Sequence, residues 1–232
     1  MLINDIDIKN FNARILEINI QNSNFKSQDI NMIKGLFPMF FNDEIGLNAI
    51  DITLLINSLD KKQYYIDKSN LLNTMIKPFK IYLKDRDLSF MCILNNQFDK
   101  ASLKQIRGKL KLNIYGYNIG NICNENLNRI YNKTINVHGN YKVPAIVEII
   151  PSIDLIDLNI QGLANDPIII KNLHANKKIV INGEEGTVLE EGINKFLDTD
   201  FWEFPFLLPG TNTIKLNKNN CNIAIKYKPR YL

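Results

Sequence analysis

Residues 179–232 read IVINGEEGTVLEEGINKFLDTDFWEFPFLLPGTNTIKLNKNNCNIAIKYKPRYL. Short apolar runs alternate there with turn chemistry. Asn182-Gly183 and Glu191-Gly192 are dipeptides that reverse a chain, because glycine tolerates positive φ. Pro209-Gly210 is a second kind of turn signal, with Pro fixing the first turn position and Gly taking the left-handed one. Two period-two strands follow it. Ile214 and Leu216 share one face. Cys221, Ile223, Ile225 and Tyr227 share another, with Asn222, Ala224 and Lys226 opposite. Between the turns lies Phe201-Trp202-Glu203-Phe204-Pro205-Phe206, which holds the one tryptophan of the chain. The pattern predicts a β-meander closed by an aromatic plug, in which Trp202, Phe204, Pro205, Pro209 and Gly210 take part.

The rest of the chain is also mostly β. Leu2, Ile6 and Ile8 alternate with polar residues, and Leu16, Ile18 and Ile20 do so again, which reads as two strands with one wet face. Residues 21–34 are polar and loop-like. Leu36 to Phe41 is apolar with Pro38 inside, an edge strand or a buried loop. Ile50, Ile52, Leu54 and Ile56 give a clean alternation. From Asp60 to Lys77 the period changes. Tyr65, Leu72, Met75 and Ile76 fall on one helical face; Ser58 or Asp60 is placed to cap the start, and Pro78 stops the helix. Phe79, Ile81 and Leu83 resume period two, followed by a turn at Asp85-Arg86-Asp87 and strands over 88–94 and 110–114. Residues 118–131 are polar, with little periodicity. The boundary between two domains, 1–120 and 121–232, is expected there. Strands at 143–150, 155–161, 167–171 and 178–182 precede the meander, and their spacing suggests a sandwich.

Composition narrows the function. The chain has 232 residues, 45% of them hydrophobic and 22% charged, as in an ordinary globular protein. Its net charge of +4 is too small to argue for nucleic acid alone. The excess is local: up to Gly120 there are 16 Lys+Arg against 12 Asp+Glu, and afterwards 12 against 12. Cys92, Cys123 and Cys221 are odd in number and far apart, which fits neither a disulfide framework nor a zinc site. No basic region followed by an apolar run opens the chain, so no secretion signal is visible. No apolar stretch approaches the ~18 residues of a membrane span. The sequon Asn132-Lys133-Thr134 has meaning only in a secreted protein.

The search for chemistry is short. His138 and His174 have no Cys, Asp or Glu at metal-ligand spacing. No phosphate-binding glycine loop and no nucleophile elbow is present. Glu184, Glu185, Glu190, Glu191, Asp198, Asp200 and Glu203 cluster in sequence. They read as a glycosidase pair or cation site, or else as solvated hairpin tips; the tips are preferred, because no spacing matches a calcium loop. Lys100, Lys104, Arg107, Lys109 and Lys111 form a basic group. It reads as a solvated or acid-docking face, since no aromatics interleave to stack bases. Phe201, Trp202, Phe204 and Phe206 serve either as a sugar platform or as core packing, and packing beside two prolines is preferred. No cofactor, metal or catalytic residue is expected.

The ordered residues ING…GTV…G.NKF.D.DFWEFP.L.PG.NTI…I.IKYKPRYL resemble the C-terminal end of the distal tail proteins of long-tailed phages and prophages. MLINDIDIKNFNARIL at the start resembles that family's opening strand, and KLKLNIYGYNIG (109–120) resembles the strand that ends its first domain. The resemblance implies a mainly β fold: an N-terminal split β-barrel-like domain with one helix, then a C-terminal galectin-like β-sandwich. It implies a homo-hexameric ring formed by the first domain at the tip of the tail tube. One face of the ring docks on the tube protein and the other on a tail-associated lysin or fibre protein. DNA passes only through the lumen, and no membrane is involved. The place implied is the virion tail, after assembly in the host cytoplasm. The chain is too short for the carbohydrate-binding insertion some members carry, so receptor recognition is expected in a partner. The alternative readings are a β-sandwich that binds cell-wall glycans, which an exposed Trp202 favours, and a cell-wall hydrolase with carboxylates lining a cleft.

Overall fold

The computed structural model describes residues 1–22, 25–27, 43–45, 47–101 and 106–231. The chain is mainly β and divides into two compact units, residues 1–119 and 120–231. The stretch over 36–41 lies outside the described residues. Within 21–34, Phe25–Ser27 pairs with Asp43–Ile45.

The first unit is built on one antiparallel sheet. Its strand order is Ile6–Asp7, Leu2–Ile3, Phe79–Leu83, Leu88–Ala101, Arg107–Ile119, Asn48–Asn57 and Ala13–Gln21. The two outermost strands are almost consecutive in the chain. Only the 3-10 turn Ile8–Phe11 and Asn12 separate them. Five residues span at most about 18 Å, so the edges must approach each other and the sheet curls into a split barrel. Asn12 turns the corner in the left-handed region, at φ 51°. Ile50, Ile52, Leu54 and Ile56 from one strand and Leu110, Leu112 and Ile114 from its neighbour fill the inside, all buried.

Three details depart from the sequence pattern. The opening alternation is not one strand. Asn4 and Asp5 both take positive φ, a hairpin turn between Leu2–Ile3 and Ile6–Asp7, and Ile8 enters the 3-10 turn. In Ala13–Gln21 a bulge between Ile15 and Glu17 resets the alternation. Ile15, Ile18 and Ile20 pack inward while Leu16 is exposed. The third departure is the helix, Lys61–Asn73, which buries Tyr64, Asp67 and Leu71. The face expected from Tyr65 and Ile76 is wrong: they are 51% and 76% exposed, although Met75 is buried. The reason is that the inward positions are polar and satisfied. The Tyr64 hydroxyl donates to Asp99 Oδ1 at 3.0 Å. Its ring occupies the space above Gly108, where a Cβ would sit 2.1 Å from the Tyr64 oxygen. Asp60 caps the helix, accepting from the Gln63 amide at 2.8 Å. Ser58 instead donates to Asp67.

The second unit is a β-sandwich. One sheet runs Cys123–Asn128, Cys221–Tyr227, Val143–Pro151, Ile179–Asn182, Thr187–Glu190 and Ile193–Asn194, with Phe206–Leu207 paired to the start of Val143–Pro151. The other runs Asn132–Val137, Gly210–Leu216, Leu155–Gln161, Ile168–Leu173 and Thr199–Asp200. The meander is therefore real only as far as Asn194. The strand after the Pro209-Gly210 turn crosses to the opposite sheet from the one that follows it. The faces read from period two hold: Ile214, Cys221, Ile223, Ile225 and Tyr227 are buried in the shared core. Cys123–Asn128 and Asn132–Val137, in or beside the stretch read as unpatterned, are strands at the edges of their sheets. An edge strand buries little, so polar residues suffice. Gly183 is needed for closeness rather than for positive φ, since a Cβ there would lie 2.4 Å from the Pro205 carbonyl oxygen.

Asp67 generates a pH prediction. Burial raises its pKa, but hydrogen bonds from Ser58, Asn12 and Gln63 outweigh this and hold the carboxyl below its ordinary 3.8. A depressed native pKa stabilises the fold above the unfolded value, and that stability is lost as pH falls through the native value. Asp67→Asn should cost about 1.5–3 kcal/mol at pH 7, the range for hydrogen bonds to a charged group. The gap to the unmodified protein should begin to narrow below about pH 4 and go on closing as pH falls further, as measured by chemical denaturation across that range.

Candidate functional site

Arg107, Lys109 and Lys111 of the basic group fall on the solvent face of the first sheet. Lys109 and Lys111 are exposed, alternating with buried Leu110 and Leu112. The register extends their rows across the sheet. Lys109 pairs with Leu55 and Leu55 with Arg14; Lys111 pairs with Thr53 and Thr53 with Glu17. Arg107 pairs with Asn57, whose Oδ1 accepts from its Nε at 2.6 Å. Lys100 is placed by backbone register opposite Lys109. Lys104 lies outside the described residues. The structure thus adds Arg14 to the basic face, a residue that sequence spacing did not bring near Arg107. Only cross-strand pairing links the two. At this end of the face Lys9, Asn12, Ala13, Arg14, Leu55, Asn57 and Arg107 line a concavity.

In the second unit the aromatic stretch divides. Phe201 and Phe204 pack against the sandwich core. Their rings meet edge-on at 5.2 Å, and Phe196 joins them at 5.9 and 6.1 Å. Pro205 and Phe206 are buried, and the Lys142 ammonium lies 3.5 Å from the Phe206 ring centre. Trp202 takes no part in a plug, since it is 90% exposed. The packing positions are taken by Phe201 and Phe204, and the bend between them turns the indole outward. Pro209 is exposed too, and Gly210 takes the left-handed turn position at φ 86°.

The loop that carries these rings is fixed by one buried cation. Lys195 Nζ donates to the Asn172 carbonyl at 2.8 Å, to Asp198 at 3.1 Å and to Glu190 at 3.3 Å. Asp198 also accepts from Asn172 Nδ2 at 3.0 Å. That bond first, and Lys195 second, hold its carboxyl below the usual range. The clamp accounts for two members of the acidic cluster. Asp200 faces Lys171, Glu184 faces Lys228, and Glu191 accepts from the Lys178 amide. Glu203 accepts from the Asn165 amide at 3.2 Å. These carboxylates are partnered by cations or backbone amides. Among the described residues no group of three or more His, Cys, Asp or Glu is arranged to hold a metal ion. Burial pushes the Cys92 thiol up to about 12, which suits a small buried hydrophobe rather than a nucleophile.

The comparisons agree with this geometry. Residues 138–231 match the family described as siphovirus-type tail component, C-terminal domain. The whole chain superposes on the crystal structure of the Dit protein (gp 19.1) of phage SPP1 with a TM-score of 0.72 at 8% identity, covering 100% of this chain and 98% of that one. Chains of the phage p2 baseplate in its activated conformation superpose with TM-scores of 0.56 (with calcium, 13% identity) and 0.57 (with strontium, 14% identity). Both cover 96% of this chain and 92% of the other. No curated protein matches in sequence. Most of the second unit thus matches a siphovirus-type tail component domain, and the whole chain has the fold of the Dit protein, in line with the sequence resemblance.

An exposed Trp202 carries little folding energy. Trp202→Ala should leave stability within about 0.5 kcal/mol of the unmodified protein, whereas Phe204→Ala should destabilise the second unit measurably in thermal denaturation. The native fluorescence should be quenched by iodide almost as fully as that of free tryptophan.

Proposed function

We propose that this chain is a structural hub of a phage tail: a hexameric ring that joins the tail tube to the host-recognition apparatus at the tip. The observation that carries the reading is the coincidence of two matches. The second unit fits a tail-component family, and the fold over the whole length fits a protein described as a paradigm of hub adsorption apparatus in phages infecting Gram-positive hosts. In this reading the chain works by docking and converts no substrate. Residues 1–120 form the ring, and residues 121–232 form the domain that projects from it. The tube protein binds one face; a tail-associated lysin or fibre protein binds the other; DNA traverses the lumen. The chain resides in the virion tail after assembly in the host cytoplasm.

Physical features of the first unit favour ring formation. Ala13–Gln21 is an edge strand, paired on one side only among the described residues. An open edge is a template for a further contact. Head-to-tail contacts close into a ring when the rotation between copies permits.

A second reading rests on Trp202. Its exposed indole sits beside Glu203, which is bonded to the Asn165 turn. An aromatic face with nearby polar groups is what a sugar-binding site offers, so the second unit would bind cell-wall glycans.

Native mass spectrometry and negative-stain imaging of the purified chain test the hub reading. A six-membered ring is expected. A species no larger than a monomer or dimer at every concentration, with glycan binding that disappears in Trp202→Ala, would favour the second reading instead.

A further inference from the structure

The concavity on the first unit brings together three cations from three places in the chain. Lys9 comes from the 3-10 turn, Arg14 from the start of an edge strand, and Arg107 from the strand beyond the next one. Its other lining residues are Asn12, Ala13, Leu55 and Asn57, with no carboxylate among them. Lys109 extends the charge along the row it shares with Leu55 and Arg14. Among the described residues neither Lys9, Arg14 nor Lys109 forms an ion pair.

Of the carboxylates of this unit, Asp67 and Asp99 are engaged elsewhere, while Glu17 stands in the next row of the same face. Asp67 accepts from Asn12 at 2.8 Å, Ser58 at 2.5 Å and Gln63 at 2.7 Å. Asp99 accepts from Lys68 at 2.6 Å and from Tyr64. The site is also partly organised before any ligand arrives. Asn57 holds Arg107 through Nε, which leaves the terminal nitrogens of the guanidinium to meet a ligand. Asn12 is held by Asp67. Clustered like charges repel, and fixing them in a concavity costs stability unless an anion from outside offsets it.

We propose that this concavity binds a carboxylate carried on an acidic segment of a partner polypeptide. A planar carboxylate matches the fork of an arginine and accepts paired hydrogen bonds from it. The alternative of a nucleic-acid track fits less well. Glu17 and Asp51 share the same sheet face, in the rows of Lys111 and Asn113, and confine the positive surface to the concavity and the row beside it, which seats a single carboxylate but is too short a track for a phosphate backbone. The lining also holds no aromatic side chain on which a base would stack. The inference does not rest on ring formation, and the oligomeric state and this site are read by separate experiments.

Fluorescence anisotropy with the full chain and a fluorescein-labelled glutamate-rich peptide tests it. The peptide should bind at low ionic strength and weaken with added salt. The R14Q/R107Q double variant should weaken it by about tenfold or more, the loss expected for charge-assisted hydrogen bonds. K9Q should weaken it less, and K215Q, on the exposed face of the second unit, should leave it unchanged. Retention of the thermal midpoint by each variant shows that folding is intact. If R14Q/R107Q fails that check, K9Q and R14Q alone are read in its place. Four results would overturn the proposal. They are no binding by the unmodified chain, equal binding by the variants, displacement of the peptide by orthophosphate at equal concentration, and tighter binding of a mixed-sequence single-stranded oligonucleotide.

Discussion

The carboxylate of Asp67 ties the helix of the first unit to the corner on which its sheet turns. Asn12 stands at that corner, in the left-handed conformation that lets Ala13–Gln21 start immediately after the opposite edge of the sheet. Its side chain donates to Asp67 on the helix at 2.8 Å, and Ser58, just before the helix, donates to the same oxygen. A buried charge with three donors is costly to leave unpartnered. Helix, corner and edge strand are therefore fixed together. The same arrangement sets out the basic concavity, because Asn12 lies between Lys9 and Arg14.

The second unit relies on a different constraint. Its two sheets share one apolar core, and the crossing of the chain after Pro209-Gly210 sends Gly210–Leu216 to one sheet and Cys221–Tyr227 to the other. Near the core the chain is kept compact by close approaches such as Gly183 against the Pro205 carbonyl. At the surface, the Lys195 clamp orders a loop that nevertheless displays Leu197, fully exposed, and Trp202.

Much of this was legible from alternation. Strands that bury one face, such as Asn48–Asn57 and Cys221–Tyr227, declare themselves because every second residue is apolar. What stayed hidden depends on partners distant in sequence. Leu16 was read as inward, since a bulge is visible only against the neighbouring strand. The helix face was misplaced by one residue, because Tyr64 and Asp67 are buried through bonds to Asp99, Asn12 and Ser58 that no local pattern announces. Edge strands such as Cys123–Asn128 bury a single residue, Leu127, and so look like loops. Trp202 was assigned to packing because it stands among aromatics beside two prolines, and the bend between Phe201 and Phe204 decided otherwise. Lys109 and Lys111 were placed on a wet face by alternation, but Arg14 joins them only through register.

In the proposed reading the chain joins two parts of a tail. Immunogold labelling of intact tailed particles with antibodies against this chain tests it most directly. A hub at the tip gives gold confined to the distal end of the tube, where the tip apparatus begins. Gold distributed along the tube, or at the head, or absent from particles that are otherwise complete, would contradict it.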